Sequence, residues 1–448
     1  MFESLREMDR RQWSATLAAF AGWTLDAFDF FLMVFMFQAI AREFHASVPA
    51  VTAASAVTLA ARPFGAFFFG QLADRFGRRP VLIAVILLYS AFELASAFAP
   101  SLAILLVMRA LFGFSMGGEW GVGASLAMET IPVKARGVVS GFLQEGYAVG
   151  YLLAALVYFL LFDRIGWRGM FIVGVAPALI SAFIFLSVKE SPSFEAARHT
   201  RPAGQHRHVW AIGAIALLVA IAPSTLSIFT GVGVTTLIYA ICVPVGLAGL
   251  WAFRSHWRIA LYLAVMMMAF NLFSHGTQDL YPTFIKARGF GTGEVGLATA
   301  IGNFGAIFGG VLMGAWSERL GRRRAIVIAA AASIFMIPLW AFSHTLVLLA
   351  AGAFAMQAAV QGAWGVVPAH LNEMAPSDAR GAFPGYVYQM GNLLASGLIV
   401  GQATLAKAHG GQYGFALAIT AGAVAVMLML IVGFGPERRG VDLAVEQA

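Results

Sequence analysis

Asp74-Arg75-Phe76-Gly77-Arg78-Arg79 and Glu318-Arg319-Leu320-Gly321-Arg322-Arg323 are two copies of one pattern, and the spacing between them recurs elsewhere in the chain. The same offset of 244 superposes Gly118, Trp120, Gly121 and Val122 on Gly362, Trp364, Gly365 and Val366. It also carries Glu129, Pro132, Ala135, Arg136 and Gly137 onto Glu373, Pro376, Ala379, Arg380 and Gly381. One offset kept over roughly sixty residues marks a duplication, so the chain consists of two homologous halves.

The halves belong in lipid. Of the 448 residues, 60% are hydrophobic and only 11% charged, more apolar side chain than a soluble domain of this length can hide. Apolar stretches of about 20 residues alternate with short charged loops, and in hydrocarbon such stretches must be helical to satisfy their own backbone groups. The pattern predicts an all-α membrane protein with about fourteen spans, near 14–40, 51–72, 80–98, 101–127, 137–162, 167–188, 209–228, 231–252, 258–284, 294–316, 325–342, 345–372, 381–406 and 411–434. The 48 glycines and 13% aromatic residues suit helices that pack closely and anchor at interfaces. Three units follow: an N-terminal six-helix half over 1–190, a basic linker with two inserted spans over 191–257, and a C-terminal six-helix half over 258–448. The inserted pair, 209–228 and 231–252, carries no acid or base and reads as lipid-facing filler or a packing element, not a pathway.

Orientation comes from the 29 Lys and Arg residues. With the N-terminus inside, six lie outside (Arg42, Arg164, Arg168, Lys286, Arg288, Lys407), two within spans (Arg62, Arg109) and the other 21 on the cytoplasmic side. Both termini are therefore expected in the cytoplasm of a cell bearing this chain in its inner membrane. The mixed-charge segment from Met1 to Trp13, with no small-residue cleavage site after it, argues against a removable signal peptide. Cys242 stands alone, which excludes an internal disulfide and a thiolate metal cluster. The net charge of +7 sits in loops beside spans, so nucleic acid is not an expected partner.

Ionisable groups inside spans usually line a water-filled path. Asp26 and Asp29, three residues apart in the first span, lie on one helical face and can share a proton; a pairing with an Arg on a neighbouring helix is the structural alternative. Arg62 sits twelve residues before Asp74, about 18 Å from the helix end and close to the midplane. Its repeat partner is Ala306, so a single guanidinium is available to hold a carboxylate substrate, unless it is permanently paired with Asp26 or Asp29. Glu93 reads as structural. The ninth span carries Asn271, Ser274, His275 and Gln278 at i, i+3, i+4 and i+7, a polar stripe on an apolar helix, with Asp279 beside it. Such a stripe must face another helix or a cavity, where its donors can hold the oxygens of a small organic acid.

Paired halves with a site between them describe alternating access. The loop from Gly70 to Arg79 and its second copy resemble the signature of the major facilitator superfamily. There Asp74, Arg75 and Arg78, and Glu318, Arg319 and Arg322, form charge-assisted contacts that can latch one conformation. The ninth-span stripe is similar to the signature of Jen-type lactate and pyruvate permeases, members of the sialate:H+ symporter family, and Gly22 to Phe30 and Arg62-Pro63-Phe64-Gly65 resemble that family's first two helices. The resemblance implies a proton-coupled symporter importing a short-chain monocarboxylate such as lactate or pyruvate. Asn271, Ser274, His275, Thr277, Gln278, Asp279 and Thr283 would then shape substrate binding. It also implies that Arg109 pairs with Asp26 or Asp29 as a coupling pair, with Glu119 or Glu145 as a relay. A larger acid, such as sialic acid or an aromatic acid, is the alternative, suggested by the two inserted spans. No nucleotide-binding loop, metal cluster or nucleophile with a base is present, so neither an enzyme nor a cofactor is expected, and the driving force is the proton gradient. A monomer suffices for this mechanism.

Overall fold

The computed structural model describes residues 3–46, 48–190, 194, 209–376, 379, 382–396 and 398–441. Most of the linker expected over 189–208 lies outside the described residues. Helices α1 (Arg10–Glu43), α2 (Val48–Phe76), α3 (Arg78–Ala97), α4 (Leu102–Thr130), α5 (Arg136–Gln144) and α6 (Gly146–Ser187) form the first half. Asp9 opens α1 with a capping box: its carboxylate accepts from the Gln12 amide at 2.8 Å, and the Gln12 side chain accepts from the Asp9 amide at 3.0 Å. The inserted segment holds α7 (Val209–Thr230), α8 (Val234–Leu237) and α9 (Val243–Gly249). The second half comprises α10 (Trp257–Gln278), α11 (Tyr281–Ala287), α12 (Thr292–Leu320), α13 (Arg322–Phe342), α14 (Leu346–Trp364), α15 (Val367–Met374), α16 (Phe383–Ala395), α17 (Leu398–Ala408) and α18 (Tyr413–Gly433). Among the described residues, eleven segments are long and apolar enough to cross a membrane.

Several expected spans are broken helices. By contrast, α6 holds parts of two expected spans, 137–162 and 167–188, and turns between them at Gly166 (φ 62°), a positive φ that glycine adopts more readily than any other residue. The expected span 231–252 runs through a π-helical turn (Ile238–Cys242) between α8 and α9 and then a 3-10 stretch (Leu250–His256). The expected span 345–372 breaks between α14 and α15, where Pro368 lacks the amide that would continue the ladder.

The duplication is visible in packing. A methyl group on Gly65 of α2 would stand 1.7 Å from the Phe114 carbonyl of α4; one on Gly309 of α12 would stand 1.9 Å from the Ala358 carbonyl of α14. These two contacts are related by the same offset of 244, so the glycines that let helices touch were duplicated with the chain. Between α2 and α3, and again between α12 and α13, the chain turns at Gly77 (φ 107°) and Gly321 (φ 95°). Both turns lie at one end of the bundle, called here the basic end because Arg75 to Arg79 and Arg319 to Arg324 flank them.

The halves meet closely at that end. A methyl group on Gly121 would lie 2.5 Å from the α-carbon of Gly385, one on Gly137 2.4 Å from the Gly314 carbonyl, and one on Gly141 2.3 Å from the Gly310 carbonyl. The inserted segment spans both halves. Trp210 of α7 packs on Phe68 of α2, and the Tyr386 hydroxyl of α16 donates to the Gly246 carbonyl of α9. Through these contacts it bridges the seam between α2 and α16.

Candidate functional site

A narrow, partly open central cavity of about 40 Å3 lies between the halves. Its first-half wall is Trp23, Asp26, Phe30, Arg62, Gln144 and Tyr147; its second-half wall is Asn271, Ser274, His275, Gln361, Trp364, Tyr388 and Asn392. The signature stripe of α10 thus faces the cavity through three of its positions. Gln278 braces the stripe from behind, donating to the Ser274 hydroxyl at 2.8 Å, and Gln361 donates to the same hydroxyl at 3.1 Å. The His275 Nδ1 and Asp279 carboxylate stand 3.0 Å apart, each side chain about a quarter exposed, on the side of the cavity away from the basic end.

Like Gln278 and Asp279, two further residues of the extended signature do not line the cavity. Thr277 is buried on another face, its hydroxyl donating to the Phe273 and Ser274 carbonyls and accepting from Gln357 at 3.3 Å. Thr283 lies exposed on α11, beyond the turn that ends α10, so it is not a contact residue of this cavity.

Asp26 and Asp29 do not share a site. Asp26 lines the cavity, and both its oxygens lie 3.4 Å from the same Arg62 nitrogen. Asp29 points into the first half, where Gly174 of α6 leaves room for both it and Glu93. Three residues along a helix is a 60° rotation, enough to send neighbouring acids to different walls. Neither Asp29 oxygen has a hydrogen-bond partner among the described residues. Arg109 does not pair with either aspartate: its guanidinium donates to Glu93 at 2.6 Å and lies 3.8 Å over the Phe112 ring. Glu93, read from sequence as structural and peripheral, is therefore the partner of Arg109.

Arg62 is paired, yet loosely. Its contacts with Asp26 are at the long end for a charge-assisted bond, its Nε has no acceptor among the described residues, and the Phe30 ring lies 5.7 Å from its centre. A guanidinium held this way retains a donor for a second anion.

Neither proposed relay acid lines the cavity. Glu145 sits in the seam between α5 and α12, its Oε1 where a side chain on Gly310 would be. Glu119 is buried beneath the aromatic layer that closes the cavity toward the basic end. That layer was missed in the sequence: Trp120 stacks on Tyr388 with centroids 4.0 Å apart, Trp364 meets Tyr388 at 5.5 Å, and Trp23 meets Trp120 edge-on at 6.3 Å. The repeat-related pair Trp120 and Trp364 was the available signal.

The ionic network at the basic end is built on Arg78 and Arg322. Arg78 contacts Asp74 at 3.2 Å and Glu129 at 3.1 Å; Arg322 contacts Glu318 at 2.8 Å and grips Glu373 through two nitrogens at 2.9 and 3.0 Å. Arg75 and Arg319 are exposed. Two further acids complete the network: Glu190 accepts from the Arg78 and Arg79 amides, and Glu437 from the Arg322 amide. Glu318 also accepts from the Gly137 amide at 2.5 Å, a bond that crosses between halves.

The model of the sugar (and other) transporter family matches residues 14–206 and 270–438, most of the chain. The chain belongs to that family, within the major facilitator superfamily. It is a transporter and not an enzyme. The carboxylic acid transporter protein homolog of Saccharomyces cerevisiae is 27% identical over 98% of this chain and 70% of its own length. The sialic acid transporter NanX of Escherichia coli is 25% identical over 96% of this chain and 95% of its own. Among solved structures, the proton:xylose symporter XylE bound to 6-bromo-6-deoxy-D-glucose superposes with a TM-score of 0.76 at 19% identity, covering 97% of this chain and 98% of that one. That likeness shows the major facilitator fold. The sequence resemblance to this superfamily therefore holds, and the narrower subfamily stays with the function below.

Proposed function

We propose that the chain is a proton-coupled symporter that imports a short-chain monocarboxylate, lactate- or pyruvate-like, across the cell's inner membrane by alternating access. In this reading it is a monomer of fourteen crossings with both termini, and the basic end, in the cytoplasm. The observation that carries the proposal is the loose Arg62–Asp26 pair in the wall of the central cavity. An incoming carboxylate takes over the guanidinium in bidentate geometry. Asp26, losing its counter-charge in a buried site, takes a proton from the outer solution, so charge in the cavity is balanced only when both ligands are aboard. The second half supplies orientation through Asn271, Ser274 and His275. The relative from yeast is named for carboxylic acids, which supports this substrate class.

The glycine seam, the aromatic layer and the Arg78 and Arg322 networks close the cytoplasmic side, so this is the outward-facing or occluded state. A Gly121→Val substitution is expected to hold the seam apart, because its side chain would overlap the Gly385 backbone. Uptake should fall at least about tenfold, with cysteines engineered into the seam labelling faster from the cytoplasmic side. Unchanged labelling and uptake would contradict the seam's role as the closed gate.

His275→Ala is expected to raise the half-saturation concentration about five- to tenfold, the loss of one hydrogen bond of about 1 kcal/mol, with expression and maximal rate little changed. An unaltered half-saturation would remove His275 from the binding surface. A second reading, a larger ring-bearing acid, is favoured by the five aromatic side chains of the cavity wall (Trp23, Phe30, Tyr147, Trp364 and Tyr388) and by the sialic acid relative. Competition for uptake by lactate, sialic acid and an aromatic acid separates the two.

A further inference from the structure

The inserted segment ends in a short turn that faces two ways. Between α9 and α10 the chain runs through the 3-10 stretch Leu250–His256 and leaves helical geometry at Phe253 (φ −103°, ψ 28°). Phe253 is 6% exposed. Its ring meets Phe383 at 5.1 Å and Tyr386 at 5.7 Å on α16, and Phe67 at 5.9 Å on α2. Phe383 and Tyr386 flank Gly385, whose contact with Gly121 closes the seam. Gly249 makes room for the Tyr386 hydroxyl, from which an added methyl group would stand only 2.1 Å.

The outward side of the same turn is basic and aromatic. Trp251 is 71% exposed and Trp257 55%, whereas tryptophan in a packed fold is mostly covered. The Arg254 guanidinium lies 6.0 Å from the Trp251 ring centre, and that of Arg258 lies 5.6 Å from Trp257. His256 falls between them in sequence, its Nδ1 3.0 Å from the Ser255 hydroxyl. The sequence holds no acid between Glu195 and Asp279. Neither arginine enters an ion pair among the described residues. Trp257 opens α10 at the basic end, opposite the end that carries His275 and Asp279. Unpaired guanidinium groups over exposed indoles at a membrane edge match a phosphate headgroup standing above its acyl chains.

We propose that the turn over 250–258 is a binding site for anionic phospholipid headgroups, and that an occupied site favours the closed seam. Opening the seam carries α16 away from α2, so the rings around Phe253 cannot keep their contacts with both. The turn then moves, and its cations move with it. A headgroup that grips the turn in its closed position binds that state more tightly and shifts the balance toward it. The ligand is a lipid and not a soluble phosphate, because the indoles offer an apolar face that a free ion does not use. The proposal uses the orientation given above, with the basic end in the cytoplasm, and does not depend on which acid is carried.

The test uses the full chain in phosphatidylcholine vesicles with and without phosphatidylglycerol. Two quantities are read: quenching of tryptophan fluorescence by brominated phosphatidylglycerol, and labelling of a cysteine engineered into the seam from the cytoplasmic side. Each arginine at an anionic surface contributes about fivefold to association. Phosphatidylglycerol is therefore expected to slow seam labelling at least about threefold. The response should drop below about twofold in Arg254→Gln/Arg258→Gln and largely persist in Arg254→Lys/Arg258→Lys, since the attraction depends on charge. Phe253→Leu should be quenched as before yet lose the labelling response. Labelling indifferent to phosphatidylglycerol in the wild-type chain, or a full response in the double glutamine variant, overturns the site. A full response in Phe253→Leu overturns its link to the seam. Inorganic phosphate that reproduces the effect in phosphatidylcholine vesicles overturns the lipid as ligand.

Discussion

Replacing Arg62 with alanine is expected to abolish carboxylate uptake, lowering it by at least about a hundredfold, while the protein still inserts and folds. Two effects act together. The substrate loses its fixed counter-charge, and Asp26 loses the guanidinium that both its oxygens contact. Each charge-assisted hydrogen bond lost to the bound carboxylate is worth about 1.5 to 3 kcal/mol, so losing a bidentate pair exceeds a hundredfold. Arg62→Lys should recover little, because an ammonium cannot offer the two parallel donors a carboxylate accepts. Uptake near the wild-type rate in Arg62→Ala, with normal amounts of protein in the membrane, would show that the substrate binds elsewhere.

Asp26→Asn is expected to separate transport from its driving force. In a one-to-one symport, a pH difference of one unit sustains about tenfold accumulation, equivalent to 1.4 kcal/mol. The variant should equilibrate lactate to about onefold while still exchanging labelled for unlabelled substrate. Asp29→Asn provides the contrast. Asp29 faces Glu93 and α6 instead of the cavity, so coupling should survive and the principal effect should fall on stability. Accumulation in Asp26→Asn equal to wild type would place the proton on another group, and Asp29 would then be the first to re-examine.

The architecture was legible because duplication writes itself into spacing. An offset read from Asp74 and Glu318 also relates Gly65 on Phe114 to Gly309 on Ala358, a contact that depends on the same backbone approach in both halves. The cavity-facing side of α10 was legible for a similar reason, since polar residues at helical spacing on an apolar helix need a cavity or a partner. Partner choice between helices was not legible. Arg109 could reach the first span or the third, and the winner is Glu93, because Asp29 rotates away while Glu93 approaches to 2.6 Å. Distances across a bundle depend on helix rotation by tens of degrees, which residue spacing along one helix does not encode. The aromatic layer was hidden for a different reason. Aromatic residues are abundant in membrane spans, and only the convergence of Trp23, Trp120, Trp364 and Tyr388 from four helices distinguishes these from packing. The ionic network at the basic end was half legible: the arginines and the acids beside them stand in the repeated motif, whereas Glu190 and Glu437 complete it from distant sequence.

The measurement that bears most directly on the account is proton movement in proteoliposomes of the purified protein when a carboxylate is added outside without an imposed gradient. The account predicts alkalinisation of the external solution on adding lactate, in proportion to lactate taken up, and no such signal in Arg62→Ala. Lactate uptake with no accompanying proton flux, or proton flux that persists undiminished in Arg62→Ala, would contradict it. A proton signal with sialic acid or an aromatic acid and none with lactate would keep the coupling and reassign the substrate to the larger class.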